Sequence, residues 1–305
     1  MIRLVVIGAT GQVGQALISA VRGSHRTTFC LEAFSRHEVD LSSEQSLADF
    51  SERLQRLKPD VVINAAAFTD VEGAQHRPQQ AFAVNAEAVR RLAQMCRQHN
   101  ALFVHYSSDY VFDDAQKTPH CESECPHPLN VYGETKLAGD EAIMATCERY
   151  LIFRAGWICS NTSRNFLKTI VTHAAAARAL RVIDDQFGTP TSAHFLASIT
   201  LKAITLALKK TLPFGLYHVA PEGYCSWFDF ARWALLQARE AGLRSVDPEN
   251  ITAIASSQWP SCVTRAANSR LSCEKLKHAL PEPLPSWQEA MRPIVDEMVA
   301  ELTRR

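Results

Sequence analysis

Leu4-Val5-Val6-Ile7-Gly8-Ala9-Thr10-Gly11-Gln12-Val13-Gly14 carries a short apolar run straight into three glycines spaced G-x-x-G-x-x-G. The run suits a buried strand, and the amphipathic stretch over 12–21 suits the helix that follows it. Glycines between the two permit a tight turn and let backbone N–H groups approach a pyrophosphate, whose charge a helix N-terminus favours. Residues Gly8, Gly11, Gln12, Val13 and Gly14 are therefore expected to cradle a dinucleotide.

Outward from that stretch, short apolar runs alternate with longer amphipathic ones. Strands are expected at 27–34, 61–63, 102–106 and 151–153, and helices at 44–57, 79–99 and 132–146. The 79–99 stretch reads as one long helix, with Ala81, Val84, Ala88, Leu92 and Met95 on one side. This alternation predicts an α/β fold, a Rossmann-type doubly wound parallel sheet. Beyond Trp157 the pattern loosens, with helices near 166–179, 195–208, 227–241 and 287–302 and a strand at 216–219. A smaller C-terminal substrate-binding lobe is expected there. The boundary falls near 156, giving a dinucleotide-binding domain over 1–156 and a substrate lobe over 157–305, from which segments can return to the sheet.

Composition narrows the function classes. The chain has 305 residues, with 32 Lys+Arg against 32 Asp+Glu and no run of five like charges, so neither nucleic acid nor an anionic membrane is an expected partner. Nine cysteines without a C-x-x-C pair predict free thiols and a cytoplasmic protein. His120, Cys121, Cys125 and His127 cluster in sequence, but without the paired spacing of a zinc site they read as a polar loop, and no metal is expected. The first apolar run is broken at Gly8 and Thr10, so it reads as neither a signal peptide nor a membrane span.

At the end of the second strand, Phe34-Ser35-Arg36-His37 offers a hydroxyl and a guanidinium, with Glu32 as the only carboxylate nearby and earlier in the strand. Ser35 and Arg36 suit a 2′-phosphate, so NADPH is the expected cofactor, with NADH also accepted. Asp40 and Leu41 suit the adenine edge and face, and Ala65, Ala66 and Ala67 leave room for the cofactor backbone. Downstream, Tyr132 and Lys136 stand four apart at the start of a helix, on one face. An ammonium there would lower the phenol's pKa from near ~10, making Tyr132 a general acid for a carbonyl under reduction. Ser108, at the end of the fourth strand, brings a hydroxyl to the same oxygen.

Together these residues resemble the extended short-chain dehydrogenase/reductase superfamily, in which the G-x-x-G-x-x-G spacing is common. Within it the chain is most similar to the dTDP-4-dehydrorhamnose reductases. The stretches GATGQVG, VDL at 39–41, NAAAFTDVEGA at 64–74, HYSSDYVF at 105–112, PLNVYGETKLAGDE at 128–141, FRAGW at 153–157, DDQFGTPT at 184–191 and NSRL at 268–271 carry the resemblance. It implies reduction of the C4 ketone of a dTDP-4-dehydro-6-deoxysugar to dTDP-L-rhamnose. Ser108 would take the role of the family's usual threonine beside Tyr132 and Lys136, while Asp109 and Trp157 would lie against the sugar nucleotide. A homodimer is left open. Four departures stand out: Ser108 for Thr, Phe68 for a frequent His, no proline after Arg265, and Gln15 for a glutamate linked to magnesium at an interface, so that no metal site is carried over. Two alternatives share part of the pattern. One is the non-catalytic regulatory subunit of methionine adenosyltransferase, with a similar SSDYVF stretch; the other is a nucleotide-sugar epimerase or a different 4-keto-sugar reductase.

Overall fold

In a computed structural model describing residues 1–304, the first apolar run is β1 (Ile2–Ile7), and the glycine turn leads into α1 (Gln12–Gly23). There follow β2 (Phe29–Phe34), α2 (Glu44–Leu57), β3 (Val61–Asn64), α3 (Val71–His76), α4 (Pro78–Phe82), a π-helical turn (Ala83–Glu87), α5 (Ala88–Gln98) and β4 (Leu102–Ser108). A 3-10 turn (Asp109–Val111) then leads to α6 (Val131–Thr146), β5 (Tyr150–Ala155), β6 (Ile158–Cys159), α7 (Phe166–Ala175), β7 (Leu180–Ile183), β8 (Phe187–Gly188) and β9 (Thr191–Ser192). The remainder is α8 (Ala193–Leu208), β10 (Gly215–His218), β11 (Cys225–Ser226), α9 (Trp227–Glu240), β12 (Ile251–Ile254), α10 (Glu274–Ala279) and α11 (Trp287–Thr303).

Six strands form one parallel sheet in the order β10-β5-β4-β3-β1-β2. Every residue of β3 and β4 is buried, as expected of central parallel strands covered on both faces, and this explains the apolar runs 61–63 and 102–104 that open them. On one face Val13, Ala16, Leu17 and Val21 of α1 meet Leu196, Ala197 and Ile204 of α8 over Leu4 and Val6. On the other face Leu47, Phe50 and Leu54 of α2 and Val89 and Leu92 of α5 cover Val5, Ile7, Val62 and Phe103. A separate core, built from Leu167 and Ile170 of α7, Phe230 and Ala234 of α9, and Met291 and Ile294 of α11, forms the second lobe.

Three expectations are corrected. The 79–99 stretch is α4, a π-turn and α5, because the Asn85 amide donates to the Phe68 carbonyl at 3.0 Å and to Thr135 Oγ1 at 3.0 Å. The Asn85 carbonyl is thereby pressed onto α6 where only glycine fits: a Cβ on Gly139 would lie 2.3 Å from it. The helix expected to reach 179 stops at Ala175, with Ala177 in the left-handed region at φ 54°. The stretch 120–127 is not simply a polar loop, since His120 is fully buried, stacked on Phe112 at 4.4 Å and bonded to Glu124 at 2.8 Å. β10 is the edge strand of the main sheet, beside β5, and α8 packs with α1 on one face of it.

Candidate active site

Gly8 adopts φ +86°, and a Cβ there would lie 2.7 Å from the backbone of Ala65 and Ala66. Gly11 is the N-cap of α1 without a side-chain cap, and the helix's first turn holds no acid. Its N-terminal N–H groups and the positive end of its dipole are therefore available to an anion. A cavity of about 710 Å³ opens in front of this turn. It is lined by Gly8, Gly11, Gln12, Val13, Arg36, Asp40, Leu41, Ala65, Ala66 and Ala67 on the sheet side, and by Ser108, Asp109, Tyr132, Lys136 and Trp157 beyond. A cradle that any side chain would fill, facing an uncapped helix end, fits a dinucleotide.

Two expected cofactor residues do not line the cavity. Gly14 packs beneath the turn instead, where a Cβ would lie 2.1 Å from the Gly8 carbonyl. Ser35 is turned to Glu38, whose carboxylate accepts from both its backbone N–H and its hydroxyl at 2.8 Å. These bonds hold Glu38 below its usual range. Glu38, not Glu32, is thus the acid at the tip, and it reaches Ser35 because the chain turns back over three residues. Arg36 does line the cavity, with its side chain 71% exposed and Nε 3.8 Å from Asp40 Oδ1. The side chain of Gln12 is occupied as well: its Oε1 accepts from Ser160 Oγ and Asn165 Nδ2, both at 2.9 Å, tying the cradle to the second lobe.

Asn130 caps α6 by accepting from the Gly133 N–H at 3.0 Å and donates to the Thr264 carbonyl at 2.9 Å, which fixes where the helix begins. Tyr132 and Lys136 then sit one turn apart at the cavity wall. Lys136 Nζ donates to the Tyr106 carbonyl at 2.7 Å and lies 3.2 Å from His105 Nε2. Burial pulls its pKa down to about 8, opposed by Asp140. Tyr132 departs from expectation. Burial pushes the phenol above its ordinary value, and although a Ser108 hydrogen bond acts the other way, Asp109 and Tyr110 add to the rise. Lys136 does not offset this, because its nitrogen is turned to Tyr106 and His105.

Ser108 Oγ donates to Asp109 Oδ1 at 2.9 Å and accepts from the Tyr110 N–H at 3.2 Å. Asp109 is buried; desolvation lifts its pKa to about 6, with hydrogen bonds from Ser108 and Ser269 holding it back. Trp157 follows β5 in the left-handed region at φ 52°. Its ring stacks on Trp227 at 3.4 Å and covers Gly188, where a Cβ would lie 2.4 Å from the indole. The residue is both core and wall: it belongs to the second-lobe cluster and also lines the main cavity and an adjoining smaller one.

Sequence reading missed Tyr110, which meets Tyr132 edge to face at 5.4 Å, and the smaller cavity's Trp227, Gln186 and Arg265. Tyr110 lay within the HYSSDYVF stretch and could have been singled out; Trp227 lies 70 residues from its stacking partner, with no local signal. Phe68 lines the cavity as an apolar surface with the Arg77 guanidinium 5.1 Å from its ring centre.

The family described as RmlD substrate binding domain matches residues 2–300. A dTDP-4-dehydrorhamnose reductase of Escherichia coli K12 is 36% identical over 296 residues, 97% of each chain. One of Salmonella typhimurium is 36% identical over 306 residues, covering 98% of this chain and 99% of the other. Among solved structures, a dTDP-4-dehydrorhamnose reductase of Bacillus anthracis in complex with NADP superposes with a TM-score of 0.87 at 26% identity, covering 97% of this chain and 99% of that one.

Proposed function

The chain belongs to the dTDP-4-dehydrorhamnose reductase family, and from that premise we infer that it reduces the C4 ketone of dTDP-4-dehydro-6-deoxy-L-mannose to dTDP-L-rhamnose with NADPH. The observation that carries this reading is one cavity shared by an uncapped helix N-terminus and by Ser108, Tyr132 and Lys136. The first holds a pyrophosphate without side chains, and the others supply a proton and a hydroxyl to a carbonyl oxygen.

Bound at the cradle, the nicotinamide supplies a hydride to C4 of the sugar. The N–H groups of α1's first turn take the pyrophosphate, Ala65 to Ala67 leave space for the cofactor backbone, and Arg36 meets the 2′-phosphate. Tyr132 gives its phenolic proton to the C4 oxygen, and Ser108 turns its hydroxyl from Asp109 to that same oxygen as charge develops on it. Serine serves here as threonine would, because the hydroxyl is the reacting feature. Asp109 and Trp157 border the sugar, and Tyr110, Trp227 and Arg265 line an adjoining recess of only about 10 Å³.

In this reading the half over 1–156 holds the cofactor and the half over 157–305 mainly the sugar nucleotide, in line with the separate core of α7, α9 and α11. Among the described residues no helix is long and apolar enough to cross a membrane. The nine free cysteines, four of them exposed, favour a reducing compartment, so the cytoplasm is its proposed location. A homodimer, suggested by the resemblance, is to be checked by light scattering. The reading is tested by mixing the protein with dTDP-4-dehydro-β-L-rhamnose and NADPH. One NADP⁺ formed per dTDP-L-rhamnose, identified by NMR, is expected; no sugar-dependent oxidation of NADPH would overturn it.

A further inference from the structure

Behind Lys136 runs a buried polar chain to which the proposed reaction gives no task. Asn64 ends β3 and is the register partner of His105 on β4. Asn64 Nδ2 lies 3.2 Å from His105 Nδ1, and Lys136 Nζ lies 3.2 Å from His105 Nε2. The amide's orientation follows from the Ala66 N–H, which donates to Asn64 Oδ1 at 3.1 Å and leaves the NH₂ end facing the imidazole. Burial, with Lys136 adding to it, holds His105 well below its ordinary pKa. The ring is therefore neutral, with one donor and one acceptor nitrogen.

Both neighbours of that ring carry N–H groups. If Asn64 donates to Nδ1, the ring's own proton sits on Nε2 and points at Lys136. It finds an acceptor there only when Lys136 is an amine, whose hydrogens still reach the Tyr106 carbonyl at 2.7 Å. An ammonium at Lys136 sets donor against donor, either at Nε2 or, after the proton moves to Nδ1, at the Asn64 amide. A buried donor without an acceptor is costly.

We propose that Asn64 and His105 are positioning residues that hold the imidazole as its Nε2–H tautomer and so favour the amine form of Lys136 over the ammonium. The other groups around Lys136 do not reverse this preference. Asp140, one turn along α6, favours the ammonium but is shared with Arg154 of β5 at 3.0 Å and Ser107 of β4 at 2.9 Å. The Tyr106 phenol is turned away to Thr200 of α8 at 2.8 Å, while Asp109 and Tyr110 act on Tyr132. A lysine with a destabilised ammonium gives up its proton at a lower pH, and the protonation of Lys136 then falls on the basic limb of the proposed reaction's pH profile. That consequence rests on the reductase reading; the tautomer does not.

The test is ¹⁵N NMR of the full chain with labelled histidine. The His105 signals are identified by their loss in His105→Gln or, if that variant does not fold, by a nuclear Overhauser contact to the Asn64 amide. At pH 9, above the Lys136 pKa of about 8, Nε2 should carry the proton and Nδ1 should be bare. Asn64→Asp keeps an acceptor for the Ala66 N–H but presents a carboxylate to the ring, so it should reverse the tautomer. It should also move the basic limb of kcat/KM upward by about one pH unit. A proton on Nδ1 in the parent at pH 9, or an unchanged tautomer in a folded Asn64→Asp, overturns the proposal. Because the spectra need no turnover, an inactive parent would count against the reductase reading alone.

Discussion

Tyr132 faces the cavity with its phenol raised above the ordinary value by burial, so it enters a reaction as a proton-bearing acid. Tyr132→Phe should lower kcat by roughly a hundredfold or more, since general acid catalysis is worth about that much, while NADPH binding measured by fluorescence stays within a few-fold. Near-parental turnover would remove Tyr132 from the chemistry. Asp109 makes a second prediction, about pH. Its folded-state pKa of about 6 stands above the ordinary carboxyl value of 3.8, so its contribution to stability is fully present below about pH 4 and is lost as pH rises through 6. Above that, the fold carries a buried charge. Asp109→Asn should therefore raise the melting temperature at pH 7 to 8, by up to about 3 kcal/mol of stability, and flatten the decline between pH 4 and 6; an unchanged profile would contradict this. At this scale Tyr132, Lys136 and Ser108 were legible because local spacing places them. Ser35 was misread because its fate depends on Glu38, which reaches it only after the chain turns back.

At the scale of elements, the strand-to-helix turn at the start of α1 makes the most specific claim. Gly14→Ala would set a methyl 2.1 Å from the Gly8 carbonyl, which only a shift of the turn relieves. It should destabilise the protein by about 1–3 kcal/mol and weaken NADPH binding at least tenfold by titration calorimetry. Gly23→Ala, at the other end of the same helix with nothing within 4 Å of the added methyl, should leave both unchanged or be stabilising by up to about 1 kcal/mol. In the proposed function Arg36, in the loop after β2, carries the cofactor preference. Arg36→Ala should raise KM for NADPH several-fold and leave KM for NADH nearly unaltered, with the difference shrinking as salt screens the exposed guanidinium. Equal NADPH/NADH ratios in parent and variant at low salt would show Arg36 to be a solvated charge. The buried strands were readable because both faces demand apolar residues. The π-turn was not, since Ala81, Ala88 and Leu92 continue a helical stripe through it and its cause is the bonds of Asn85 to the distant Phe68 and Thr135.

For the whole molecule, the sheet's composition could be read only in part. β10 joins β5 in parallel after α8 has packed on the α1 face, but nothing local tells a strand at 215–218 which sheet it joins. The stack of Trp157 on Trp227 and the bonds from Gln12 to Ser160 and Asn165 are likewise long-range, and they bring the second lobe to the cradle. In the proposed reading the one cavity has a cofactor wall and a sugar wall, and hydride passes between them. The most direct measurement is a single turnover with NADPH deuterated at the transferable C4 position and dTDP-4-dehydro-β-L-rhamnose, with the product sugar read by NMR. Deuterium at C4 of dTDP-L-rhamnose, matched one to one by NADP⁺, is the predicted result; sugar returned without deuterium and with the NADPH unspent would contradict it.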